Sequence, residues 1–143
     1  KAIKEIFPLL QGTPVKAIPH RILCRGVLAG RYKDTNQIPQ DSRAAISLRV
    51  KRYLTKENIE IVNAIENLAR KHNINLLDMV LQWTLSFDVV DQLCIGTGSI
   101  IQLEKLVNSL KNKSNYNKEI NQEIDELLDK NLIYELPTTF FEK

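Results

Sequence analysis

The sequence predicts an α/β chain that is mostly helical, with two short strands lying parallel. Two brief apolar runs, residues 15–18 and Leu93, Cys94 and Ile95, are too short for helices and read as strands. Amphipathic helices with good caps fill the chain between and beyond them. Residues 92–106, QLCIGTGSIIQLEKL, then run strand, glycine turn and helix in succession. That order aims several backbone N–H groups at one point, where the helix dipole favours an anion such as phosphate.

Taken in order, Ile3, Ile6, Phe7 and Leu10 fall at helical spacing, with Pro8 expected to shorten or bend that helix. Gly12, Thr13 and Pro14 stop it. Pro19 suits the end of the first strand, because it has no N–H to give a ladder. Residues 20–32 carry two glycines and little polar alternation, which predicts a tight apolar loop pressed against the protein. The polar stretch 33–40, with Pro39 near its end, suits a surface excursion. Ser42 is placed to cap a helix from Arg43 to about Tyr53, with Ala45, Leu48 and Arg49 on one face.

Thr55 caps the strongest helix, whose stripe is Ile59, Val62, Ile65, Leu68 and Ala69, and Asn73 reads as its left-handed terminator. Asn75 caps the next, with Asp78 in its first turn; apolar on most sides, this helix is expected to be nearly buried. A helix over 100–110 is expected to turn Leu103, Leu106, Val107 and Leu110 inward. After a polar break, a last helix over 118–128 uses Ile120, Ile124, Leu127 and Leu128. Residues 131–143 are apolar in places but have no period.

The totals narrow the function. The 143 residues are one domain's worth, and 43% hydrophobic with 26% charged residues is ordinary for a globular protein. A net charge of +3, from 20 basic and 17 acidic residues, gives no large field, so no nucleic acid partner is expected. No apolar run is long enough for a bilayer, so neither is a membrane. Cys24 and Cys94 lie in apolar runs without metal-ligand spacing. Reduced, buried thiols, no metal site and a cytoplasmic setting are therefore expected. Two lone parallel strands leave open edges and an uncovered face. Together with Lys1 opening in mid-helix, this predicts a segment of a larger sheet whose other strands lie upstream.

Four stretches, in the expected order, resemble the C-terminal half of an aldo-keto reductase. AIPHRILCRGVLAGRY (17–32) is similar to the family's seventh barrel strand and its plxxGxLtGky continuation. PQDSR (39–43) looks like its P-x-x-S-R loop, and RYLTKENIEIVNAIENLARKHNINLLDMVLQWTL (52–85) its paired helices. CIGTGSIIQLEKL (94–106) is similar to the eighth strand and the iiGasxxxQLxeN element. The resemblance implies that residues 1–143 are one segment, the C-terminal half of a TIM-type (β/α)8 barrel, mostly helical with two short parallel strands and without the N-terminal half. It implies that the full-length protein reduces aldehydes or ketones to alcohols. The implied partners are a nicotinamide dinucleotide and a small carbonyl substrate. Phosphate in such barrels is commonly held by the loops after the last two strands. Residue by residue, Arg21, Ile22, Leu23 and Gly26 fall where the seventh-strand loop meets the cofactor. Gly96, Thr97, Gly98, Ser99 and Gln102 fall on the eighth-strand element. The amides of Gly98 and Ser99 would face phosphate, and Gln102 the adenosine side.

The sequence departs from the family at specific places. Residues 96–103 have no basic residue to pair a 2′-phosphate, and Lys105 and Leu106 replace the usual Glu-Asn. Arg21 and Ile22 stand where many members have Ser and Pro. NADP(H) is thus the implied cofactor, with NAD(H) left open. The family's Asp, Tyr, Lys and His tetrad has no match here, so the segment alone is expected to be inactive. Other readings stay open. Gly96, Thr97 and Gly98 also read as a turn needing left-handed φ angles, and Arg21 and Arg25 as solvated arginines. The protein could be a nucleotide-binding regulatory module without turnover, or the helices an interaction protein. The isolated segment is expected to self-associate through strand edges and half a core.

Overall fold

The computed structural model describes residues 2–111 and 115–130, so the predicted tail over 131–143 lies outside the described residues. At the start, Pro8 has its expected effect. It gives no N–H and its ring crowds the carbonyl four residues back. Ala2–Ile6 accordingly wind as a π-helical turn before α1 (Phe7–Leu10). Thr13 closes that end, its N–H and Oγ1 reaching the Leu10 carbonyl at 3.1 and 2.8 Å.

Neither predicted strand forms among the described residues, although the two segments do pair in parallel. They meet at two isolated bridges, Ala17 with Val90 and His20 with Cys94. Ala17 N–H donates to Val89 O at 2.6 Å, Asp91 N–H to Ala17 O at 3.1 Å and Cys94 N–H to Pro19 O at 3.0 Å. Two residues separate the bridges on the first segment and three on the second, so the register slips by one. Pro19 also withholds a ladder N–H. Burial differs from expectation too. Leu93 and Ile95 are half-buried, Cys94 is exposed and Cys24 half-buried. No sheet flanks the pair among the described residues, and its faces therefore stay open.

The loop over 20–32 is pressed inward as predicted, through Val27 and Tyr32, which are 3% and 1% exposed. The Tyr32 hydroxyl accepts the Ala44 N–H at 3.3 Å and pins the loop to the chain twelve residues on. The single helix expected from Arg43 is two, α2 (Arg43–Ile46) and α3 (Leu48–Lys51), broken where Ser47 is extended at φ −131° and ψ 110°. That break resets the helical phase. Ala44 and Val50 are buried, while Ala45, Leu48 and Arg49 face solvent. Ser42 stands at the N-cap position, but its Oγ makes no cap bond.

The centre of the fold is α4 (Lys56–Lys71) against α5 (Leu76–Leu85). Thr55 Oγ1 accepts the Asn58 N–H and Asn75 Oδ1 the Asp78 N–H, each capping as predicted. Between the helices Asn73 adopts φ 54°. Its N–H reaches Arg70 O while Ile74 N–H reaches Ala69 O, a Schellman closure. Ile59, Val62, Ile65 and Ala69 of α4 join Leu76, Met79 and Val80 of α5 in the core. Burying a side chain such as Met79, wholly inaccessible, stabilises by about 1.5–3 kcal/mol. Ile120 and Ile124 bring α7 (Lys118–Lys130) into the same core, against α4.

The helix α6 (Ile100–Lys111) differs from expectation. It packs on α5, and only Leu106 and Ser109 are buried, while Leu103, Val107 and Leu110 are exposed along with Ile100 and Ile101. The helical period locates an apolar face. It does not say what covers it, and nothing among the described residues does.

Candidate functional site

The His20–Cys94 bridge decides where the predicted site residues lie. Because the two segments are parallel, the loops beyond them leave from the same end. Arg21, Ile22, Leu23 and Gly26 are on the first loop. Gly96, Thr97, Gly98, Ser99 and Gln102 are on the second and the first turn of α6. The pairing brings the two sets to one edge, although they are some seventy positions apart in sequence. Arg21 and all five of the second set are exposed, and Ile22, Leu23 and Gly26 are half-buried.

The first loop is tightly wound. Cys24 N–H donates to Arg21 O, Gly26 N–H and Leu28 N–H to Leu23 O, and Val27 N–H to Cys24 O. Within it Arg21, Cys24 and Arg25 have φ of 59°, 45° and 60°, and Gly26 has 101°. Left-handed non-glycine residues cost of order 1 kcal/mol each or more, and they persist where surrounding bonds over-determine them. Arg25 carries a second anomaly. Its Nε is buried and has no hydrogen-bond partner among the described residues.

On the second element the two glycines are not there for their φ angles, since neither is positive. A Cβ added at Gly96 would meet nothing within 4 Å, and at Gly98 only the Gln102 Oε1 at 3.6 Å. The reading of a turn that requires left-handed glycines is therefore corrected. Ser99 caps α6, its Oγ accepting the Gln102 N–H at 3.3 Å. Gln102 Oε1 in turn accepts the Gly98 N–H at 2.9 Å. This is a variant of the reciprocal capping box, and the signal that could have found it is the spacing Ser-x-x-Gln. It alters the expected roles: the Gly98 amide is engaged by Gln102. Helix geometry leaves the Ile100 and Ile101 amides without intrahelical acceptors.

Two features of these loops bear on an anionic ligand, the orphaned Arg25 Nε on the first and the open space over Gly96 on the second. Two tyrosine hydroxyls are engaged within the fold. Tyr32 binds the Ala44 amide, and the Tyr116 hydroxyl donates to Asn121 Oδ1. A shallow cleft beside Ser86, Tyr116 and Asn121 includes none of the predicted site residues. Among the described residues no cluster of His, Cys, Asp and Glu could hold a metal, and no helix is long and apolar enough to cross a membrane.

The sequence model of the aldo/keto reductase family matches residues 2–129. The chain is 30% identical to L-glyceraldehyde 3-phosphate reductase of Escherichia coli (strain K12) over 122 residues, 82% of this chain and 35% of that protein. It is 26% identical to versiconal hemiacetal acetate reductase of Aspergillus parasiticus over 83 residues, 58% of this chain and 24% of that one. A solved glycerol dehydrogenase from Gluconobacter oxydans superposes with a TM-score of 0.69 at 20% identity, over 92% of this chain and 39% of its own. The chain thus spans about a third or less of the length of the curated relatives it matches.

Proposed function

The chain belongs to the aldo-keto reductase family, and from that premise we propose that it is the cofactor-holding C-terminal half of a (β/α)8 oxidoreductase that uses NAD(P)H to reduce aldehydes or ketones to alcohols. The observation that supports the reading is the parallel His20–Cys94 bridge, because the loops at 21–26 and 96–99 both leave from its end. In such barrels the last two loops are where phosphate is commonly held. The nicotinamide, when bound, supplies the hydride; this chain's residues bind and orient. The free amides at the start of α6 and its dipole offer the anion fixed partial charge. The wound first loop provides the facing wall, with Leu23 anchored against the core. Gln102 holds the Gly98 amide until the nucleotide arrives and can then turn its amide group to the adenosine side.

The test is calorimetric titration of the full-length protein with NADPH and with NADH. Saturable binding of either is expected; binding of neither would sink the idea. Carbonyl-dependent oxidation of the bound nucleotide then separates an enzyme from a barrel that only binds. Turnover is expected, through a tetrad supplied from outside this chain.

A further inference from the structure

The break between α2 and α3 leaves an apolar knuckle exposed. Ile46 and Leu48 flank the extended Ser47, and such a residue turns both neighbours to the side opposite its own. Ile46 is 87% and Leu48 76% exposed. The flanks hold them outward, because Ala44 on one side and Val50 on the other take the core positions at 0% and 1% exposure. The Tyr32 hydroxyl, which accepts the Ala44 N–H, fixes the first flank further. Charge surrounds the knuckle. Residues 42–56 contain five Lys or Arg and no Asp or Glu, more positive charge than the +3 of the whole chain. Arg49, Lys51 and Arg52 are exposed and make no ion pair among the described residues. Asp41, the acid just before, is already held by Arg31 at 2.7 Å.

We propose that this knuckle docks the protein on an anionic phospholipid surface, with Ile46 and Leu48 entering the headgroup layer and Arg49, Lys51 and Arg52 meeting the negative headgroups. Charge complementarity sets the sign of the partner, since unpaired cations clustered near a bilayer are drawn to its negative surface. Shape favours lipid over an acidic protein. The apolar pair protrudes, so a folded partner would need a matching pocket, whereas a lipid interface accepts inserted side chains anywhere along it. The contact lies on the surface and crosses nothing, in keeping with the absence of a membrane-crossing helix among the described residues. It is independent of the nucleotide-binding reading, whose residues lie on other loops.

The experiment sediments the full-length protein with phosphatidylcholine vesicles, with and without phosphatidylserine, at low and at raised salt. Binding is expected only where phosphatidylserine is present, and it should weaken as salt rises. Ile46→Ser with Leu48→Ser, and separately Arg49→Gln with Arg52→Gln, are each expected to lower partitioning about tenfold or more. Thermal unfolding checks that both fold; all four side chains are exposed, so little change in the midpoint is expected. Should the serine pair fail to fold, the arginine pair decides. Leu48→Trp reports insertion: its emission is expected to shift to the blue on vesicles and to be quenched by brominated acyl chains. Wild type that stays in solution beside phosphatidylserine vesicles, or folded variants that bind as wild type does, overturn the proposal. Binding to soluble polyglutamate as tight as to vesicles, with Leu48→Trp unquenched, also overturns it and assigns an acidic protein partner instead.

Discussion

Two side chains show how differently single residues serve this chain. Asn75 uses both ends of its amide on Asp78: Oδ1 accepts the backbone N–H at 2.8 Å, and Nδ2 donates to Oδ2 at 2.5 Å. The other carboxylate oxygen, Oδ1, is buried without a partner among the described residues, in a side chain only 4% exposed. Asn75→Ala therefore removes a cap and also a side-chain donor to a buried acid. The expected loss is about 2 kcal/mol, the upper end for a cap, read from the midpoint of urea unfolding. Gly96 behaves in the opposite way. With a φ that any residue can adopt and open space above it, Gly96→Val is expected to leave the thermal midpoint nearly unchanged. If the proposed phosphate site is here, dinucleotide affinity should nevertheless drop by about tenfold, because the branched side chain fills the space over Gly96. A variant that loses stability in step with affinity would show that the glycine serves the fold.

Elements meet through polar clasps whose pH dependence can be worked out. On the α4–α7 contact, Glu123 accepts from Lys71 Nζ at 2.5 Å and lies 2.9 Å from His72 Nε2. The Lys71 bond, aided by His72, holds its carboxyl below the ordinary 4.5 although burial opposes this. A lowered folded value means that the clasp stabilises above about pH 4.5 and is lost as pH falls through the lowered value. Glu123→Gln is expected to flatten the decline of stability in that acid window, followed by circular dichroism. At α5 and α7 the sign reverses. Burial pushes the Tyr116 hydroxyl, which donates to Asn121, up to about 12 from 10.0; a Ser86 bond works against this and Asp125 adds to it. Its stabilisation is whole below about pH 10 and is lost as pH rises through about 12. Tyr116→Phe is expected to lessen that alkaline loss in the same measurement.

How much of this was legible depended on whether signals agreed. At α4 and α5, cap, apolar stripe and terminator all point one way, and the helices sit where the sequence puts them. At Ser47 they do not, since the apolar pattern runs on through an extended residue that no turn signal marks. The slip between the two bridges adds one residue on the second segment, a choice made by packing rather than by alternation. The candidate site was drawn from the sequence as two sets of residues through the family likeness. That they share an edge comes from pairing Ala17 and His20 with partners far along the chain, which no local pattern encodes. The engaged Gly98 amide was hidden because Ser99 and Gln102 suit a ligand and a helix cap equally well by residue type.

For the whole molecule the unsatisfied surface is the governing fact. On α6, Ile100, Leu103, Val107 and Leu110 fall three and four positions apart and form one exposed row, with Leu103 51% and Leu110 47% exposed. Val15 and Ile18 are exposed on the first bridged segment as well. A helix apolar on the side facing α5 and again on this side suits a ring of helices, where each has neighbours on both flanks. On the half-barrel reading proposed above, the other half of the barrel would cover that row. In its absence the row and the open bridge edges are expected to find each other on second copies. Sedimentation velocity of the isolated 143-residue chain should show association that grows with concentration. Leu103→Glu with Val107→Glu should reduce it while the helical signal stays constant, because neither side chain is buried here. If the unaltered chain sediments as a monomer at every concentration and melts cooperatively, the face needs no cover and the half-barrel reading loses its physical basis.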